Sequence, residues 1–186
     1  MQTARRVGIR TGGHVPNEVG IGHALESGQG TIEHLDGYDA VVGFGEPMPD
    51  ELIKQLALET RESGAWSTPT MSIVRSVLGL DTVQQARGQR ELQYLPQVQV
   101  DTWEKLYEGP VSKGIRSPER AVTVERNRER LLEALNDVGA PILLGSDTPN
   151  LFQIPGFAIR AELIAMQGAG TLIRWTMWPT FETQQE

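Results

Sequence analysis

Cysteine is absent from the 186-residue chain, histidine occurs only three times, and no apolar run approaches the length of a membrane span. Without cysteine, disulfide frameworks, thiolate zinc sites and cysteine nucleophiles are excluded, so any metal site must use histidine and carboxylate ligands. A bilayer-spanning helix needs about 20 apolar residues, and residues 1–13 lack the apolar stretch of a secretory signal. We expect a soluble protein, cytoplasmic by default, although the sequence leaves its compartment open.

Basic residues are also scarce, since 17 lysines and arginines stand against 24 acidic residues. The net charge of −7 and the lack of a basic stripe argue against nucleic acid as a partner. A hydrophobic share of 39% and a charged share of 22% are ordinary for a globular chain of this length. We expect one domain over residues 1–170 and an atypical tail over residues 171–186.

Strand patterns alternate with helix patterns along the chain. Strands are predicted at Val7–Gly13, Gly30–Leu35, Ala65–Val74 and Ala140–Gly145. Helices are predicted over 16–28, 50–64, 82–94, 100–107, 117–139 and 156–166. Four βα units imply parallel strands, either in an open doubly wound sheet or in part of a (β/α)8 barrel. A complete barrel takes about 250 residues and is excluded by the length.

Three residues with metal-binding side chains follow predicted strands. His14 and His34 come after the first and second strands, and Asp147 comes after the fourth. Active sites of α/β folds lie at these strand ends, and two imidazoles with a carboxylate suit zinc. Each residue also has a purely structural interpretation: the histidines as packing or surface residues, Asp147 as a turn residue. An open α/β binding domain is a more distant alternative. Such a domain needs a glycine-rich phosphate loop before its first helix, and Gly12-Gly13-His14-Val15-Pro16 is a poor version of that loop.

Five motifs resemble those of one enzyme family. They are Gly-His-Val-Pro at 13–16, Ala-Leu-Glu-Ser-Gly-Gln-Gly-Thr-Ile-Glu-His-Leu at 24–35, Thr-Pro-Thr at 68–70, Leu-Gly-Ser-Asp-Thr-Pro at 144–149 and Pro-Gly at 155–156. In order and spacing they resemble the imidazolonepropionase and prolidase-like branch of the metal-dependent amidohydrolase superfamily. The resemblance covers residues 5 to about 168 and corresponds to the fifth through eighth strands of the family's barrel, its C-terminal half.

The resemblance implies a fold, a cofactor and a reaction. It implies half of a distorted (β/α)8 barrel, with one or two divalent metals, zinc being the expected one, in intact relatives. His14 and His34 match the fifth- and sixth-strand ligands, and Asp147 matches the eighth-strand aspartate that binds metal and transfers the proton. The implied reaction is hydrolysis of C–N bonds in an amide, dipeptide or cyclic amide by metal-activated water.

The chain also departs from the family pattern. The His-x-His pair of the first strand and the bridging lysine or glutamate of the fourth strand have no counterpart here, and residues 171–186 lose helical periodicity. A shifted reading frame or a truncated gene would explain the tail. The alternative to an active hydrolase is therefore an inactive metal-binding or structural fragment.

Further residues have weaker claims on the site. Tyr38 and Arg75 are candidate substrate-binding residues, although a loop tyrosine is commonly an anchor and arginine an ordinary surface residue. His23 falls within a predicted helix and is left out of the site. Glu33 is expected to point toward the helices, away from His34. A half-barrel would leave an open face and free strand edges, so a homo-oligomer is expected.

Overall fold

The computed structural model describes residues 2–108 and 117–170. Its strands are β1 (Gly12–Gly13), β2 (Thr31–Glu33) and β3 (Trp66–Thr68). Its α-helices are α1 (Gln2–Arg6), α2 (Ile21–Glu26), α3 (Asp50–Ser63), α4 (Met71–Val77), α5 (Val83–Arg87), α6 (Gln97–Leu106), α7 (Pro118–Asp137) and α8 (Ala158–Gly168). Two 3₁₀ turns, at Asp39–Val41 and Arg90–Tyr94, connect them. The predicted tail lies outside the described residues.

Within the described residues the strands form one parallel sheet in the order β1-β2-β3. Ile142 extends it by a single parallel bridge to Ser67, which is the part of the predicted fourth strand that pairs. Gly12 is required beside β2, because a Cβ there would lie 1.9 Å from the Thr31 hydroxyl oxygen. A parallel sheet in this order is common to a barrel segment and other α/β folds, so the half-barrel stays a prediction.

The main core lies between one face of the sheet and the helices α2, α3 and α7. Ile32 in β2 is fully buried and belongs to the same apolar cluster as Leu56 of α3 and Leu132 of α7. Neighbouring residues of a strand point to opposite faces, so Thr31 and Glu33 lie on the other face and are half-buried. The prediction that Glu33 points toward the helices is therefore wrong; it accepts a hydrogen bond from Thr31 at 2.7 Å.

Helix α7 agrees closely with its prediction. The Ser117 side chain accepts a hydrogen bond from the Arg120 backbone N–H, and Pro118 occupies the first turn, where a missing N–H costs nothing. Leu131 and Leu135 lie one turn apart on the buried face. The helix ends before Gly139 because that residue has φ of +75°, a conformation favoured by glycine.

The third strand is shorter than predicted. Only Trp66–Thr68 pairs, and the chain enters α4 at Met71, so the prediction of strand through Val74 is wrong. The branched side chains of this segment favour a strand, but buried contacts to another helix override that preference. The first strand is also shorter, because only Gly12–Gly13 of the predicted Val7–Gly13 pairs. None of the helices in the described residues is long and apolar enough to cross a membrane.

Candidate metal centre

Polar residues follow the strands at one edge of the sheet. His14 directly follows β1, His34 directly follows β2, and Thr70 comes two residues after β3. Asp147 follows the Ile142 bridge by five residues. Because the strands are parallel, their carboxyl ends meet at this edge, which is where α/β folds place their sites.

The structure brings the two histidines together. The centroids of the His14 and His34 rings lie 4.7 Å apart, with their planes tilted by 30°. His14 Nδ1 lies 2.6 Å from a carboxylate oxygen of Asp36, and His34 Nδ1 lies 2.6 Å from the hydroxyl oxygen of Thr70. With the proton assigned to Nδ1 in both rings, each Nδ1–H donates to its partner. Each Nε2 then keeps a lone pair.

The hydrogen bonds of the two rings are compatible with metal ligation. Histidine ligands of metals usually donate their second ring N–H to a carboxylate or another oxygen, as His14 and His34 would in this tautomer. Two imidazoles bound tetrahedrally at metal–nitrogen distances of about 2.0–2.1 Å have ring centres about 5 Å apart, close to the observed 4.7 Å. The His14 side chain is 72% exposed, so an ion could reach it from solvent.

Three residues along the same edge have a strained backbone. His34, Thr70 and Asp147 have φ of +58°, +47° and +53°, in the left-handed region. A non-glycine residue pays about 1–2 kcal/mol for this conformation, and a branched residue such as Thr70 is a genuine outlier. Strained residues of this kind are concentrated at functional sites. The three strand ends are therefore shaped by something other than local preference.

Asp147 is the predicted ligand that the structure does not add to the histidine pair. Its side chain is exposed and accepts a hydrogen bond of 3.3 Å from the Asn150 amide. No group of three or more histidine, cysteine, aspartate or glutamate side chains is arranged to hold a metal within residues 2–108 and 117–170. Its contact with Asn150 is longer than an ordinary hydrogen bond of about 2.7–3.2 Å, so an ion could displace it at low cost.

Arg128 of α7 and Asp36 are site residues that the sequence analysis missed. Arg128 donates to the backbone carbonyl of His34 and, at 2.9 Å, to Asp39, and it lies 4.0 Å from Asp36. Burial raises the pKa of the Asp39 carboxyl, and the Arg128 guanidinium acts against that shift. The sequence does contain a sign of this role: Arg128 lies between Val124 and Leu131 on the buried stripe of its helix.

The two predicted substrate-binding residues have polar partners other than the histidines. Tyr38 is 1% exposed and its hydroxyl pairs with Thr60 of α3 at 2.6 Å. Burial raises the pKa of its phenol to about 12, so it stays neutral near pH 7. Arg75 of α4 forms ion pairs with Asp81 and Glu125. Both residues therefore anchor helices, and their role in substrate binding stays a prediction.

Glu162 of α8 holds the backbone that directly follows Thr70. Its carboxylate is fully buried and accepts hydrogen bonds from the backbone N–H groups of Met71 at 2.7 Å and Ser72 at 2.8 Å. These are the first residues of α4, directly after Thr70. Glu162 therefore fixes the turn that presents the Thr70 hydroxyl to His34.

Comparison of the chain with protein-family models, with curated proteins and with solved structures finds no match. The resemblance to amidohydrolases consequently depends on the motifs alone. The structural feature that points to a function is the geometry of His14 and His34.

Proposed function

We propose that this chain binds a divalent metal ion, zinc by preference, and is a fragment of a metal-dependent amidohydrolase that cleaves C–N bonds. The observation that carries the proposal is the pair of imidazoles, 4.7 Å apart, each held at Nδ1 by an oxygen partner. His14 and His34 are assigned as ligands, and Asp147 as the third ligand from its motif and its place beyond the same sheet edge.

The barrel assignment rests on the motif resemblance, and the sheet is compatible with it. The strands follow in chain order, and Ile32 of β2 is buried in the same apolar cluster as residues of α3 and α7. A barrel continues in one direction and carries its helices on the outside, so the opposite, half-buried face of Thr31 and Glu33 would be the inside of the proposed barrel.

A bound divalent ion would polarise the scissile carbonyl and acidify a water molecule near pH 7. The residues of the chain would do the remaining work. His14 and His34 are oriented by Asp36 and Thr70, so their rings need little rearrangement on binding. Asp147, exposed to solvent, would accept the proton of the attacking water and pass it to the leaving nitrogen.

A zinc-binding fragment without catalysis is the second candidate. It is favoured by the fact that, within the described residues, no third ligand lies beside the histidine pair. We expect purified chain to retain about one zinc per chain after dialysis and to hydrolyse dipeptides and cyclic amides far more slowly than an ordinary enzyme, whose k_cat is about 1–10³ per second. Ordinary turnover would contradict the fragment assignment, and a chain that retains no zinc would contradict both candidates.

We also propose that a second copy of the chain covers the open sheet face. Outer strand edges carry unpaired N–H and C=O groups that can pair with another chain, and twofold dimers are the commonest homo-oligomers. The mass of one chain is 20.5 kDa. Light scattering of dilute protein is expected to give at least twice that mass. A folded monomer that stays monomeric at high concentration would show that the chain covers this face itself.

A further inference from the structure

Arg128 is a nearly buried cation whose partners within residues 2–108 and 117–170 lie in one short segment. Its side chain is 12% exposed, and it contacts the His34 carbonyl, Asp36 and Asp39. The guanidinium has five donors in a rigid fork, so it can hold several oxygens in a fixed arrangement. Arg128 therefore attaches the segment 34–39 to α7 at three points.

Through this segment Arg128 reaches both imidazoles by separate routes. The first route is direct, because Arg128 donates to the carbonyl of His34, whose φ of +58° turns its backbone away from the strand direction. The second route passes through Asp36: Oδ1 lies 4.0 Å from Arg128, and Oδ2 lies 2.6 Å from His14 Nδ1. Both imidazoles consequently depend on the same guanidinium.

The position of Arg128 in its helix indicates a role beyond stability. It lies on the apolar stripe with Val124, Leu131 and Leu135, where a leucine would pack without the cost of desolvating a cation. Replacing a buried ion group with apolar residues is often neutral or stabilising. A charged Arg128 at this position is explained if the segment 34–39 must be held in one conformation.

We propose that Arg128 is the positioning residue of the two-histidine centre, holding His34 through its carbonyl and His14 through Asp36 so that both Nε2 atoms are available to one ion. This inference rests on the proposed metal-binding function. It differs from the family resemblance in assigning the orientation of the site to a helix residue outside the strand-end motifs.

The test uses the metal-free full-length chain with Arg128→Gln, and Arg126→Gln on the exposed side of the same helix as the matched control. Ring ¹⁵N NMR reports which nitrogen of each histidine carries the proton. We expect the wild type to carry it on Nδ1 of His14 and His34, and Arg128→Gln to move both toward the Nε2 form. His23, whose ring pairs with Ser27 on α2, is expected to stay unchanged in every variant.

Zinc affinity is the second measurement, and it is expected to fall about 10–100-fold in Arg128→Gln, the range for loss of an outer partner of metal ligands. If this variant does not fold, Arg128→Lys retains the cation but lacks the fork, and the same two NMR signals should shift. Unchanged tautomers, or a change at only one of the two histidines, would overturn the proposal. If the wild type binds no zinc, the proposed function fails, while the tautomers still decide the role of Arg128.

Discussion

Replacing His34 with alanine is expected to weaken zinc binding by more than about 100-fold, because loss of an outer partner alone costs about 10–100-fold. His34 supplies one of the two Nε2 donors, and the chain has no cysteine to replace it. The 4.7 Å contact between the imidazoles would also disappear, leaving His14 without a neighbouring nitrogen ligand. Competition between the protein and a chromophoric chelator for zinc measures the loss.

His23→Ala is the matched control for that experiment. His23 is the third histidine, it is exposed on α2, and its Nε2 lies 3.3 Å from the Ser27 hydroxyl oxygen. Zinc affinity within about twofold of the wild type is expected for this control. Equal losses in His23→Ala and His34→Ala would indicate nonspecific binding by surface histidines and would contradict the site.

The largest expected loss of stability comes from Glu162→Ala. The change removes the acceptor of the Met71 and Ser72 N–H groups, each of which costs about 1–3 kcal/mol when buried and unsatisfied. The cost of burying the carboxylate offsets part of this, so we expect the free energy of unfolding to fall by about 2–4 kcal/mol in mildly acid solution. Urea unfolding followed by circular dichroism measures the difference.

The pH dependence of this prediction follows from the carboxyl group. Burial raises the pKa of Glu162, and the two backbone hydrogen bonds act against that shift without cancelling it. The folded state therefore favours the protonated form of Glu162. The stability gained from this preference is fully present below the ordinary pKa of the carboxyl and is lost as pH rises through the raised pKa. The difference in unfolding free energy between wild type and Glu162→Ala should consequently narrow as pH rises.

Gln167→Ala on the exposed side of α8 serves as the control, with an expected change within about 0.5 kcal/mol. A Glu162→Ala protein as stable as this control would show that the first turn of α4 does not depend on the carboxylate. If the difference in unfolding free energy between wild type and Glu162→Ala widens as pH rises, the raised pKa of Glu162 is contradicted.

The long helices could be predicted from the sequence because their signals are local. Asp50–Ser63 and Pro118–Asp137 have a regular apolar stripe, and each ends before a glycine in the left-handed region, Gly64 or Gly139. Helix α4 could not be predicted in this way. Its start depends on a buried contact with Glu162, 91 residues away along the chain from Met71.

In the candidate site, too, some residues could be predicted from the sequence and others could not. His14 and His34 could be found from the sequence because both follow strand patterns, and parallel strands bring their ends together. Their partners could not be found, since Asp36 lies in a turn and Arg128 lies on a helix in which four of the first thirteen residues are arginine. Only the contact between α7 and the segment after β2 distinguishes Arg128 from its neighbours.

X-ray absorption at the zinc edge tests the central claim most directly, because it reports the atoms bound to the ion in the full-length chain. We predict that zinc retained after dialysis has two imidazole ligands, with nitrogen at about 2.0–2.1 Å, and that His34→Ala removes one of them. An oxygen-only coordination shell, or the same imidazole signal in wild type and His34→Ala, would contradict it.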